Sequence, residues 1–250
     1  MMAGNGVRAD DADLAAKIAN PVADLISVPF QGNYDCCFGP NEAGRYTLNF
    51  QPVVPVKLTD DLNLIIRTIV PTIQQNELAP GLGDSFGLGD TTQSFFLAPA
   101  LKDGWVFGAG PAFLWPTATD SDLGDGGVWG AGPTAVLLRQ MHGWTVGVLA
   151  NQIWSYAGPQ NSADYSKAFV QPFISYTFPN TTAITLNTES TYDWEAEEWT
   201  VPVNLSVSKI FKMGKQPVSL GVTGRYYAAA PAEGPEWGVR LTATFLFPTK

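Results

Sequence analysis

The sequence holds a single histidine, His142, and only two cysteines, which stand side by side as Cys36 and Cys37. Adjacent cysteines cannot staple distant segments, and no Cys/His spacing of the metal-binding kind exists, so no metal or other cofactor is expected. Charge is also scarce, at 15% of the residues, and 14 Lys and Arg stand against 23 Asp and Glu for a net charge of -9. Phosphate binding needs a basic face, and none is visible, which argues against nucleic acid as a partner. No run of about 18 apolar residues occurs, so a membrane-spanning helix is excluded. Residues 1–24 carry Arg8, Asp10, Asp11, Asp13, Lys17 and Asp24 with no continuous apolar core, so they do not read as an export signal; one has been removed, replaced or never existed. What is abundant points elsewhere. Among 250 residues, 45% are hydrophobic, 12% are aromatic, 25 are Gly and 19 are Pro. That content argues against disorder and coiled coil and for an ordered, turn-rich chain.

The informative period is two. From Ile26 the even positions read Ile26, Val28, Phe30, Gly32, Tyr34, Cys36 and Phe38, against Ser27, Pro29, Gln31, Asn33 and Asp35. The next run sets Tyr46, Leu48, Phe50, Pro52, Val54, Val56 and Leu58 against Arg45, Thr47, Asn49, Gln51 and Lys57. Further strands are expected near 62–73, 86–98, 104–116, 128–139, 143–156, 165–178, 181–194, 198–211, 216–228 and 236–248, about twelve in all, with weak alternation in 62–73 and 128–139. Soluble sheets use strands of about 5–6 residues, whereas a tilted strand crossing a bilayer needs about 9–11. Strand length therefore favours a membrane.

Two independent features agree. Tight links at Thr59 to Asp61, Pro99 to Asp103, Gln140 to Gly143, Phe178 to Asn180 and Lys212 to Gln216 alternate with connections that are mostly longer, at 74–85, 117–127, 157–164 and 229–235; the Gly39 to Gly44 and Glu195 to Glu197 loops are short. Short periplasmic turns and longer extracellular loops are what a transmembrane barrel shows. The pairs Trp105 and Trp115, Trp144 and Trp154, and Trp237 and Phe247 each lie ten residues apart on one strand face. At roughly 3.3 Å per residue and a tilt of about 40° that is about 25 Å, the height of a lipid-facing band between two aromatic girdles. The expectation is an all-β, transmembrane antiparallel up-and-down β-barrel of about twelve strands, monomeric, over residues 23–250. Residues 1–22 would form an arm or short helix, with Leu14, Ala15 and Ile18 on one face, that plugs the barrel or rests beneath it.

Four stretches also carry a resemblance: Asn20-Pro21-Val22-Ala23-Asp24-Leu25-Ile26-Ser27-Val28-Pro29-Phe30, Gly87-Leu88-Gly89-Asp90-Thr91, Gly110-Pro111-Ala112-Phe113-Leu114-Trp115-Pro116-Thr117-Ala118-Thr119-Asp120, and Asn187-Thr188-Glu189-Ser190-Thr191-Tyr192-Asp193-Trp194. The chain from residue 12 resembles the bacterial outer-membrane β-barrel transporter family of the phenol-degradation meta-pathway type. The resemblance implies a Gram-negative outer membrane with lipid and lipopolysaccharide around the barrel, and the family's substrates are poorly defined. Cys36-Cys37 departs from the family pattern.

Parity places Gln31, Asn33, Asp35, Arg45, Asn49, Gln51, Arg67, Gln93, Asn151, Gln171, Asn187, Glu189, Asp193, Asn204, Arg225 and Arg240 in the lumen, where Arg67, Arg225 and Arg240 facing Glu189 and Asp193 would set a transverse field for a polar solute, or form satisfied ion pairs that fill the interior. The function expected is passive passage of small polar or amphipathic solutes. Acidic loop residues, including Asp84, Asp120, Asp122, Asp125, Asp164, Glu195, Glu197, Glu198, Glu233 and Glu236, would add a weak cation preference within a Debye length of about 8 Å. Asp120-Ser121-Asp122-Leu123-Gly124-Asp125 lacks the remaining ligands of a calcium loop. Alternatives are a closed barrel that anchors a surface loop, a soluble jelly roll that binds carbohydrate, and an outer-membrane lipid hydrolase. The last needs a base beside its serine, and His142 falls in a tight turn. Successive strand positions point to opposite faces, so Cys36 and Cys37 are expected as two free thiols.

Overall fold

A computed structural model describes residues 14, 17–76, 78, 83–160 and 162–247. Fifteen strand segments follow one another: β1 (Ile26–Phe38), β2 (Ala43–Phe50), β3 (Val53–Thr59), β4 (Leu62–Gln75), β5 (Ser85–Leu88), β6 (Thr91–Pro99), β7 (Trp105–Trp115), β8 (Trp129–Met141), β9 (Trp144–Ala157), β10 (Ser166–Thr177), β11 (Thr182–Thr188), β12 (Ser190–Asp193), β13 (Glu198–Met213), β14 (Gln216–Ala229) and β15 (Trp237–Phe247). Three staves are interrupted, at Gln51-Pro52 between β2 and β3, at Gly89-Asp90 between β5 and β6, and at Glu189 between β11 and β12, so the fifteen segments make twelve staves. Proline has no N–H to give a ladder. The ladder spans the first break through flanking bonds, from Gln51 N to Pro29 O at 2.9 Å and from Thr68 N to Pro52 O at 3.1 Å.

Neighbouring staves pair antiparallel throughout. β1 meets β15 from Ile26 opposite Phe247 to Cys36 opposite Trp237, which closes the sheet into an up-and-down barrel. An even number of staves leaves both ends of the barrel at one rim, and the short turns share that rim. The His142-Gly143 turn places both residues in the left-handed region, at φ 49 and φ 83, as a two-residue hairpin of this hand requires. The longer connections gather at the opposite, loop rim.

The outer face is apolar along most of its height: Leu48, Val56, Val146, Leu205, Val207, Val222 and Leu241 are all exposed. Aromatic side chains mark both ends of this band. Trp144 and Tyr176 stack at 4.8 Å near the turn rim, while Trp115 with Trp129 at 5.4 Å and Tyr192 with Trp199 at 4.9 Å stack near the loop rim. Such a face is stable only where water is absent, since it would otherwise be an apolar patch encircling the molecule.

The inside departs from a uniformly wet lumen. Ile65, Phe96, Ala98, Val136, Leu138 and Leu149 form a buried cluster with Val22, and Val53, Val106, Phe169 and Phe173 pack on it. Gly108 makes room for it, because a Cβ there would stand 3.2 Å from Phe96, 3.3 Å from Val136 and 3.5 Å from Val22. Val22, just before β1, therefore lies within the barrel. Leu14, Ala23 and Leu25 join Ile210 and Leu246 in a second cluster at the turn rim. Leu14, Lys17 and Ile18 have helical backbone; the rest of the expected helix at 8–13 and 15–16, Glu77 and Gly81 in the expected 74–85 loop, and the terminal Pro248, Thr249 and Lys250 lie outside the described residues.

The expectation of two free thiols is corrected. Cys36 and Cys37 are joined as a disulfide. The register of β1 against β2 shifts between Cys36 and Phe38, and Cys37 takes φ 75, so a bulge breaks the alternation that would have pointed the two side chains apart.

Candidate functional site: the barrel lumen

The polar wall is built where β1, β14, β15 and the β11/β12 stave present their inward positions. Asn33 is directly opposite Arg240 on the β1–β15 ladder, and Arg240 is opposite Thr223 on β14. Asn33 is 3% exposed and fully used: its amide donates to Gln31 O at 3.1 Å and Thr47 O at 3.0 Å, while its Oδ1 accepts from Arg225 Nη1 at 2.8 Å and from Arg240 Nε. The rest of the Arg240 guanidinium reaches past β14 and β13 to Glu189, giving two parallel hydrogen bonds of 2.7 Å. This fork suits a planar guanidinium and a carboxylate. Glu189 continues the inward parity of Ala183, Thr185 and Asn187, which also line the cavity.

A second set lies nearer the loop rim. Arg225 Nε stands 3.5 Å from Asp35 Oδ1, and Arg225 Nη2 donates to Tyr227 at 3.0 Å. Gly238 lies between Asp35 and Arg225 on the two ladders, and a Cβ there would collide with Asp35 Oδ1, so glycine is what lets the pair meet. Arg45 faces Asp35 across the β1–β2 ladder. Lys167 binds Asp125 at 2.9 Å and Asp193 at 3.5 Å. Just outside the strands, burial raises the Tyr165 phenol above its ordinary value, with Asp125 adding to the shift.

Below these groups the lumen holds a cavity of about 420 Å³. Of the residues expected in the lumen, Gln31, Asn49, Gln51, Arg67, Gln171, Asn187, Glu189 and Arg240 line it. Asp35, Arg45, Asp193 and Arg225 lie outside it in the contacts just described, and Asn151 stands on the ladder between Thr134 and Phe169. Gln93 requires correction. It is paired with Thr68 and Phe113 and donates to Thr68 Oγ1 at 3.1 Å, while Phe113 stacks on Trp115 in the outer aromatic belt. Past Thr91 at the start of β6, the buried positions are Ser94, Phe96 and Ala98, alternating with the exposed Leu97, so Gln93 shares the outward face.

Parity reasoning also missed residues. Phe169, Phe173, Val53 and Ile69 line the cavity together with Ser175, Thr185, Ser206, Ser208, Thr223, Thr242 and Thr244, and its floor is made by Lys17, Ile18, Ala19, Asn20, Pro21, Ala23 and Leu25. Weak alternation in 62–73 and 128–139 was the available signal, since a strand apolar on both faces covers an apolar interior. In the 116–128 loop, Asp90 accepts from Ala118 N at 2.9 Å and Asp125 N at 2.7 Å, and Asp120 accepts from Asp122 N at 2.9 Å.

No known family profile matches the sequence, and no curated protein matches it. Solved structures do. The chain is similar to the COG4313 outer membrane channel from Pseudomonas putida F1, with a TM-score of 0.68 and 18% identity, over 89% of this chain and 94% of that one. It is also similar to the NanC porin, with a TM-score of 0.56 and 12% identity over 87% and 98% of the two chains, and to the KdgM porin, with a TM-score of 0.53 and 9% identity over 89% and 99%. At these identities the likeness is one of fold: a closed outer-membrane-type β-barrel.

Proposed function

We propose that this barrel lies in a bacterial outer membrane, surrounded by lipid and lipopolysaccharide, and works as a monomeric channel for passive diffusion of small polar or amphipathic solutes. The observation that carries the reading is the pairing of an apolar outer band, bounded by aromatics, with an interior cavity that is polar on one wall. The similar solved structures, which are channels and porins, support it. So does the resemblance of the sequence to transporters of the phenol-degradation meta-pathway type. In this reading residues 1–22 are a plug or constriction and 23–250 the barrel. Val22 inserted among Ile65, Phe96 and Leu138 favours that role.

The acidic loops favour cations at the entrance. The lumen opposes carrying that preference through, because Arg45, Arg67, Lys167, Arg225 and Arg240 there more than balance Asp35, Asp125, Glu189 and Asp193. A lipid hydrolase is the weaker reading: His142 is exposed in a two-residue turn at the opposite rim from the long loops.

Single-channel recording of the refolded chain in a planar bilayer tests the proposal, with a form lacking residues 1–22 alongside. Discrete openings are expected, larger in the shortened form. Silence from both, with folding and insertion verified, would refute the channel and leave a closed barrel that anchors its loops.

A further inference from the structure

The lumen cations are not equally neutralised. Arg240 is held in a fork by Glu189, Arg225 lies beside Asp35, and Lys167 is paired with Asp125 and Asp193. Arg67 also lines the cavity, yet among the described residues its only hydrogen bond is a long one, 3.4 Å, from Nη2 to Gln51 Oε1. Among the described residues no carboxylate lies within ion-pair distance of it. A guanidinium in a narrow lumen, with most of its N–H groups open to the cavity, attracts an anion, and its planar fork fits a carboxylate best. A phosphate dianion would call for a second guanidinium beside Arg67, and Arg240, the other one on the cavity, is already held by Glu189.

The surroundings of Arg67 define the rest of the ligand. Val53 faces it directly across the β3–β4 ladder, Ile69 follows it on the inward side of β4, and Phe169 and Phe173 enter the cavity from β10. Val53, Phe169 and Phe173 rest on the apolar cluster that includes Ile65 and Phe96, so this side of the cavity is firm as well as dry. Hydroxyls of Ser175, two residues beyond Phe173 on β10, and of Thr185 and Ser206 line the cavity beside them. We infer that the cavity is a binding station for amphipathic organic carboxylates, with the carboxylate on Arg67 and an apolar or aromatic body against Val53, Phe169 and Phe173. The inference rests on the channel reading and narrows its substrate class. A cavity of about 420 Å³ is within the range of about 300–1,000 Å³ that holds small organic ligands.

Benzoate is the probe, with benzamide as its neutral isostere and acetate as the headgroup alone. In single-channel recordings of the whole chain in KCl, benzoate is expected to interrupt the current at concentrations about tenfold below benzamide and acetate, the worth of one charge-assisted fork over a neutral contact. Arg67→Gln should bring benzoate to within about twofold of benzamide, and Arg67→Lys, which keeps the charge and loses the fork, should fall between. Heat-modified gel mobility confirms that each variant is folded. Should Arg67→Gln not fold, the wild-type comparison of benzoate with benzamide still decides. Conducting channels on which the two act alike would overturn the carboxylate assignment and leave the channel standing. If the folded barrel does not conduct, equilibrium dialysis of the detergent-folded protein reads the same site: preferential retention of benzoate supports it, and equal retention of benzoate and benzamide refutes it.

Discussion

Replacing Glu189 with Gln tests whether the lumen fork is structural. The two bonds to Arg240 are both 2.7 Å, and the side chains are 9% and 21% exposed for Arg240 and Glu189. Removing one member of a buried pair costs about 3–5 kcal/mol, because the other charge stays behind without its counter-ion. The cavity lets water reach Glu189, and Arg240 keeps its bond to Asn33, so the low end, about 3 kcal/mol, is expected. Urea unfolding of the refolded barrel in detergent, followed by tryptophan fluorescence, measures it. The double-mutant cycle with Arg240→Gln separates the pair from the rest: a coupling of about 2 kcal/mol is expected, since both partners lose the same two bonds. A coupling of about 0.5 kcal/mol or less, the size typical of exposed pairs, would show that lumen water screens the fork and would refute the reasoning. The same Glu189→Gln channel should pass anions over cations more strongly than wild type, because it releases a second lumen cation.

Gly108→Val should lose about 1–3 kcal/mol in the same unfolding assay, since a Cβ already stands 3.2 Å from Phe96 and branching drives further atoms into Val136 and Val22; an unchanged midpoint would show that this cluster does not close around Gly108. Asp90→Ala removes the acceptor of the backbone N–H groups of Ala118 and Asp125, each bond to a charged group contributing about 1.5–3 kcal/mol. Protease added to intact proteoliposomes should then cut the 116–128 loop faster, and an unchanged cleavage rate would deny Asp90 that role. Thiol titration of the denatured chain should find no reactive cysteine without reductant and two with it, because Cys36 and Cys37 are bonded to each other; labelling without reductant would reverse that assignment.

How much was legible follows from which comparison each feature needs. The lipid-facing side of every stave is a property of one strand, so Trp144, Val146, Val148 and Trp154 announce it in sequence. The lumen is a property of several strands at once. Arg240 and Glu189 are 51 residues apart and Arg240 and Asn33 are 207 apart, and their meeting depends on the closure of β1 onto β15. Parity could place them inside but could not say who neutralises whom, and that distinction makes Arg67 different from Arg240. The apolar half of the lumen was hidden for a related reason. Alternation reports a difference between two faces, and Ile65 on β4 or Val136 on β8 has apolar neighbours on both. Where the pattern fades, the strand has not become irregular; its inner face has a dry surface to cover. In this barrel that surface is the cluster against which Val22 and the cavity's phenylalanines rest, and the two strands with the faintest pattern, β4 through Ile65 and β8 through Val136 and Leu138, both contribute to it.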